Sequence, residues 1–76
     1  MQNVKILKAE KLKMWNENLK KLEDQLVAVQ LKKGAAAAEG DLSENAAYTM
    51  AIEDAVTLRV QIEQVKRIIK DLEVGK

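Results

Sequence analysis

The stretch "EGDLSENAAY", residues 39–48, lies near the middle of a 76-residue chain, between two segments of regular apolar spacing. Upstream of it, apolar residues fall at Leu12, Trp15, Leu19, Leu22, Leu26 and Val29, in steps of 3, 4, 3, 4 and 3. Downstream, Ala51, Ala55, Leu58, Ile62, Val65, Ile69 and Leu72 run in steps of 4, 3, 4, 3, 4 and 3. Each is an a/d heptad seam, a narrow stripe suited to one partner helix. Paired antiparallel, Leu12 meets Leu72, Trp15 meets Ile69, Leu19 meets Val65, Leu22 meets Ile62, Leu26 meets Leu58 and Val29 meets Ala55. Every pair of numbers adds to 84, so the fold-back centres near Leu42. Two parallel chains would satisfy the heptads without explaining that symmetry.

The expected fold is therefore all-α, a long antiparallel two-helix coiled-coil hairpin forming a single domain over residues 1–76. Helix one covers about 9–38, an acidic tip loop about 39–44, and helix two about 44–73. Lys5 and Lys8 fall where seam residues belong, so Val4, Ile6 and Leu7 read as a short extended lead-in. Glu73 to Lys76 reads as a fraying end. Helices of roughly 30 residues make a rod about 45 Å long. Gly34 weakens helix one locally by about 1 kcal/mol relative to Ala. On the exposed faces, Glu17 with Lys21 and Glu63 with Arg67 have the favourable i, i+4 order.

Composition narrows the function. There is no Cys, His, Pro or Phe, and Trp15 and Tyr48 are the only aromatic residues. Without Cys there is neither a disulfide nor a thiolate metal site. Without His the commonest general base and transition-metal ligand are both missing. Ser43, the only serine, has no activator. A serine or cysteine hydrolase and the usual kind of zinc enzyme are excluded. No signal peptide or membrane-length apolar run is visible, and the expectation is a cytoplasmic protein with no membrane partner.

Charge is distributed unevenly. Residues 1–33 hold eight Lys against four acids, whereas no Lys or Arg occurs between Lys33 and Arg59. That interval contains Glu39, Asp41, Glu44, Glu53 and Asp54. An acidic island seeks cations or a basic partner rather than phosphate backbones.

Two readings of the tip follow. The plain one is a turn: Gly40 takes φ > 0 at the end of helix one, and Asp41 with Glu44 has the spacing of a capping box. Tyr48, Ala47 and Trp15 are then packing residues. The other reading makes Asp41 and Glu44 half of a metal site. Two exposed carboxylates are too few to hold Mg²⁺ tightly, because that ion takes octahedral oxygen coordination and borrows ligands from phosphates or a second protein. One residue pair can serve both roles.

"GDLSENAAY", residues 40–48, resembles the GDLSENAEY signature of the bacterial Gre transcript cleavage factors, and "AEKL", residues 9–12, resembles the opening of their first helix. The resemblance covers essentially the whole chain, but only the N-terminal coiled-coil domain; the C-terminal domain that docks on polymerase in the family is absent from these residues. It implies a transcription elongation factor domain that enters the secondary channel of bacterial RNA polymerase and stimulates cleavage of backtracked RNA. Such a domain is not itself an enzyme; the polymerase performs the hydrolysis near the nascent RNA 3′ end. Asp41 and Glu44 match the acidic pair that helps hold Mg²⁺ and position water, with the ion shared with polymerase and not bound tightly by the isolated chain. Gly40, Leu42, Ser43, Asn45 and Tyr48 match tip residues that shape the turn or line the approach to the substrate.

The sequence departs from the family before Gly40, where "AAAAEG" replaces a stretch carrying Arg, and after Tyr48, where Ile52 stands near an expected base. Ala47 replaces an acid. The resemblance implies that those bases contact RNA, so the acidic pair is kept while the basic patch is not. Two other functions share these features: a channel-binding inhibitor that does not promote cleavage, and a purely structural coiled-coil module. A lone two-helix rod of this size is marginal, which leaves room for weak self-association.

Overall fold

The computed structural model describes residues 2–41 and 44–75, with side chains from Ile6 onward. Leu42 and Ser43, and with them the centre of the expected tip, lie outside the described residues. Two helices, α1 (Gln2–Ala37) and α2 (Ala46–Glu73), fold back on one another. The result is a rod of 60 × 16 × 13 Å.

The heptad seams lie between the helices. Ala51, Ala55, Ile62, Val65 and Ile69 of α2 are buried, as is Ala36 of α1. Leu12, Trp15, Leu19, Leu22, Leu26 and Val29 are half-buried, and so are Leu58 and Leu72. No large side chain is fully buried among the described residues. This follows from having only one partner: two cylinders in contact cover a stripe of each other and leave the flanks of every leucine open. Shared hollows put Val29 beside Leu58 and Thr57, and Ala36 beside Ala47 and Ala51. Those neighbours agree with the antiparallel register read from the heptads.

Helix α1 begins at Gln2, not near residue 9, and the expected extended lead-in is helical. Lys5 and Lys8 interrupt the apolar seam without interrupting the helix. The segment contains neither Pro nor Gly, and Lys, Leu, Glu and Gln are good helix formers. At about 1.5 Å per residue α1 is about 54 Å long, which accounts for a longer rod than expected. In this register α2 ends before it reaches the first turns of α1. Ile6 and Leu7 consequently remain 55% and 53% exposed.

The other end of the seam also continues further than the apolar pattern indicates. After Val29 the steps run to Lys33 and Ala36, and Lys33 is half-buried at a seam position. Its ammonium lies 6.0 Å from the centroid of the Tyr48 ring. The aliphatic stem covers the seam while the charge reaches an aromatic face at its edge. Small residues dominate here, with Ala36, Ala51 and Ala55 all at 6% exposure or less.

Helix α2 ends at Glu73 and is followed by a formed turn in place of a frayed end. Val74 N–H donates to the Lys70 carbonyl (3.0 Å), and Gly75 N–H to that of Leu72 (3.3 Å). On the exposed face Glu63 lies 3.9 Å from Lys66 instead of pairing with Arg67, and Glu17 and Lys21 do not form an ion pair. Both groups of the Glu63–Lys66 pair are largely exposed, so it adds little stability.

Two glycine substitutions test this description in opposite directions. Gly34 lies within α1, and a Cβ placed there meets no atom within 4 Å. Gly34→Ala should therefore stabilise the chain by about 1 kcal/mol, raising Tm by about 4–8 °C in a thermal melt followed by circular dichroism. An unchanged or lower Tm would mean that α1 is not continuous through this position. Gly40 has φ 133° with equally open surroundings, so a side chain there is opposed by the backbone alone. Gly40→Ala should destabilise by about 1 kcal/mol or more in the same melt, and a neutral result would contradict the turn.

Candidate functional site

The site is the connection between the helices. As α1 ends, Ala38 N–H donates to the Gly34 carbonyl and Glu39 N–H to that of Ala36, each at 3.2 Å. The second is an i→i−3 bond that tightens the final turn and satisfies one of the carbonyls a helix leaves without a partner. Gly40 then reverses the chain at positive φ. Asp41 follows in irregular backbone, and Glu44 occupies a 3₁₀ turn; both are exposed.

Asn45 ends the connection. It lies in extended backbone (φ −95°, ψ 94°), and its Oδ1 accepts from Tyr48 N–H at 3.1 Å. Asn45 is therefore the N-cap of α2. The expected capping box, with Asp41 as N-cap and Glu44 at the third helical position, is not the one that starts this helix. Asn and Asp cap about equally well, so local preference does not choose between them. Asn45 also donates from Nδ2 to the Ala36 carbonyl at 2.7 Å, which fixes the choice across the hairpin. Asp41 and Glu44 thus lie in the loop ahead of the helix, and neither caps it.

Among the described residues, Tyr48 and its neighbours fall around this joint. Tyr48 is half-buried in the first turn of α2, with its ring under the Lys33 ammonium, so it packs within the joint. The hydroxyl of Thr49 donates to the Asn45 carbonyl at 3.3 Å. A shallow hollow beside the loop is lined by Glu44, Asn45, Ala46, Thr49, Met50 and Glu53. Lys33 and Ala36 are the positions that sequence reading missed. The 3-4 spacing continued from Val29 could have found both, had a lysine been admitted to the seam.

The donor set is oxygen only. Among the described residues, no group of three or more acids is gathered closely enough to hold a metal ion. Two exposed carboxylates separated by two residues fit a hard cation such as Mg²⁺ only as part of a shared ligand set. Among the described residues, no helix is long and apolar enough to cross a membrane.

Comparison with known proteins agrees with this architecture. A family model for the N-terminal part of transcription elongation factors GreA and GreB matches residues 6–74. The chain is similar to the transcription elongation factor GreA of Lachnoclostridium phytofermentans, 36% identical over 66 residues covering 76% of this chain and 41% of that protein. It thus spans about two-fifths of the length of this curated relative. No solved structure matches it. With a hairpin matched along nearly all of its seam, this chain belongs to the Gre family of transcription elongation factors and corresponds to their N-terminal domain.

Proposed function

We propose that the chain is the channel-entering rod of a transcription elongation factor. In this reading it inserts into the secondary channel of bacterial RNA polymerase and stimulates cleavage of backtracked nascent RNA. It donates Asp41 and Glu44 to the polymerase active site and catalyses nothing alone. The observation that carries the reading is the placement of two exposed carboxylates in a loop at the end of a rod 60 Å long and 16 Å wide. A loop meant only to start α2 would use them as its cap, and here Asn45 has that duty.

In a shared site, carboxylate oxygens of Asp41 and Glu44 would complete coordination of a Mg²⁺ ion held mainly by polymerase. The ion would supply Lewis-acid activation of water and neutralisation of charge on the phosphodiester. The chain's own contribution is positional. Its two helices hold the loop at the end of a stalk, and the tight turn at Ala36–Glu39 and the cap at Asn45 set where the carboxylates leave the helices.

A second reading has a specific observation behind it. No Lys or Arg lies between Lys33 and Arg59, and Ala37 and Ile52 flank the tip. A rod with little cationic grip on RNA would serve as a plug that blocks the channel without promoting cleavage.

The two readings separate in one assay on a stalled, backtracked elongation complex with Mg²⁺. The double variant Asp41→Asn/Glu44→Gln should lose stimulated cleavage by on the order of 100-fold, since it removes both anionic ligands. Its helicity should stay close to the parent chain, because Asn45 and not either carboxylate caps α2, and its competition for polymerase should match once helicity is checked by circular dichroism. Equal cleavage by parent and variant would refute the donor role. Absence of cleavage by both, with equal inhibition of RNA extension, would establish the plug.

A further inference from the structure

The Asn45 side chain makes two bonds in opposite directions. Its carbonyl oxygen receives Tyr48 N–H, inside α2, while its amide nitrogen gives a proton to the Ala36 carbonyl, in the last turn of α1. The amide orientation is set by these partners, since the reverse would oppose donor to donor and acceptor to acceptor. Ala36 O already accepts from Glu39 N–H at 3.2 Å, and the 2.7 Å bond from Asn45 occupies its second lone pair. Ala36 itself is buried at 6% exposure, and Asn45 is half-buried, so the junction is partly screened from competing water. Residues nine apart in sequence are thereby tied at the neck of the loop that carries Asp41 and Glu44.

Resting on the reading of Asp41 and Glu44 as the working pair, we infer that Asn45 is a positioning residue, a latch whose bond to Ala36 closes the neck of the loop and fixes where both carboxylates point. Its role as N-cap is separable from this. Asp, Ser or Thr would cap α2, but Asp has no proton to give the Ala36 carbonyl, and Ser and Thr have shorter side chains. The primary amide combines a cap acceptor with a donor that reaches the other helix. Loss of one partly buried bond at the neck shifts the local opening equilibrium there.

Asn45→Asp tests the latch, because it keeps the cap oxygen and removes the donor. In the free chain, amide hydrogen exchange should quicken about tenfold at Ala38 and Glu39, whose N–H groups bond within the neck. Exchange at Tyr48 and Thr49, which bond to Asn45 from within α2, should keep the parent rate. In the cleavage assay the saturating rate should fall about tenfold, with the half-saturating concentration unchanged. Unaltered exchange at Ala38 and Glu39 would overturn the latch. Loosening of all four amides together would make Asn45 a cap only, overturning it equally. Altered exchange with a full saturating rate would overturn the positioning role. If the parent chain stimulates no cleavage, the proposed function fails, and the exchange comparison still decides the latch.

Discussion

Among the described residues, each helix buries its seam against the other, and that single interface governs the rest. One contact stripe demands strict 3-4 spacing, because a residue one step out of register faces water. It also limits burial: Ile62, Val65 and Ile69 are covered, while Trp15 and the seam leucines of α1 stay half-open. Domains of this size have little stability to spare, of the order of 3–5 kcal/mol from a single core. Interactions that would be minor in a larger protein, such as a cap or a turn glycine, therefore weigh heavily here.

The middle of the seam was legible in sequence because nothing competes with the signal. From Leu12 to Val29 and from Ala51 to Leu72, every a/d position is apolar and every one faces inward. Legibility fails where packing and helix formation part company. Near the N-terminus the seam stops, yet local propensity carries α1 back to Gln2. At the tip Lys33 holds a seam position through its stem, which a reading based on residue polarity discards. The start of α2 was the hardest boundary. Asp41, Ser43 and Asn45 are all good caps within five residues, and the bond that decides among them reaches Ala36, on the other helix. Local spacing holds no record of that partner.

The consequence for the candidate site is a division of labour. Asn45 starts the helix, Gly40 and the turn at Ala36–Glu39 end the previous one, and Tyr48 and Lys33 fill the joint. Asp41 and Glu44 lie between these fixed points. Identification of the acidic pair rested on resemblance to the family signature, while spacing alone favoured a capping box. With Asn45 as the N-cap, the capping box read from spacing is not what starts α2, and the donor role proposed for the pair rests on the chemistry of a shared ion.

Electrostatics adds a constraint on what such a tip can approach. Arg59 lies 15 residues beyond Glu44, about 22 Å along α2, whereas screening at physiological ionic strength acts over about 8 Å. Among bases close to the tip, Lys33 is turned toward Tyr48, and Lys32 shares a hollow with Glu39 and Asp54. Five acids between Lys33 and Arg59 thus leave this end of the rod net negative. A negative tip is repelled by RNA phosphates unless a cation stands between them. Under the proposed function, a divalent ion held by polymerase would turn that repulsion into attraction, and engagement would then depend on the ion rather than on direct basic contacts with RNA.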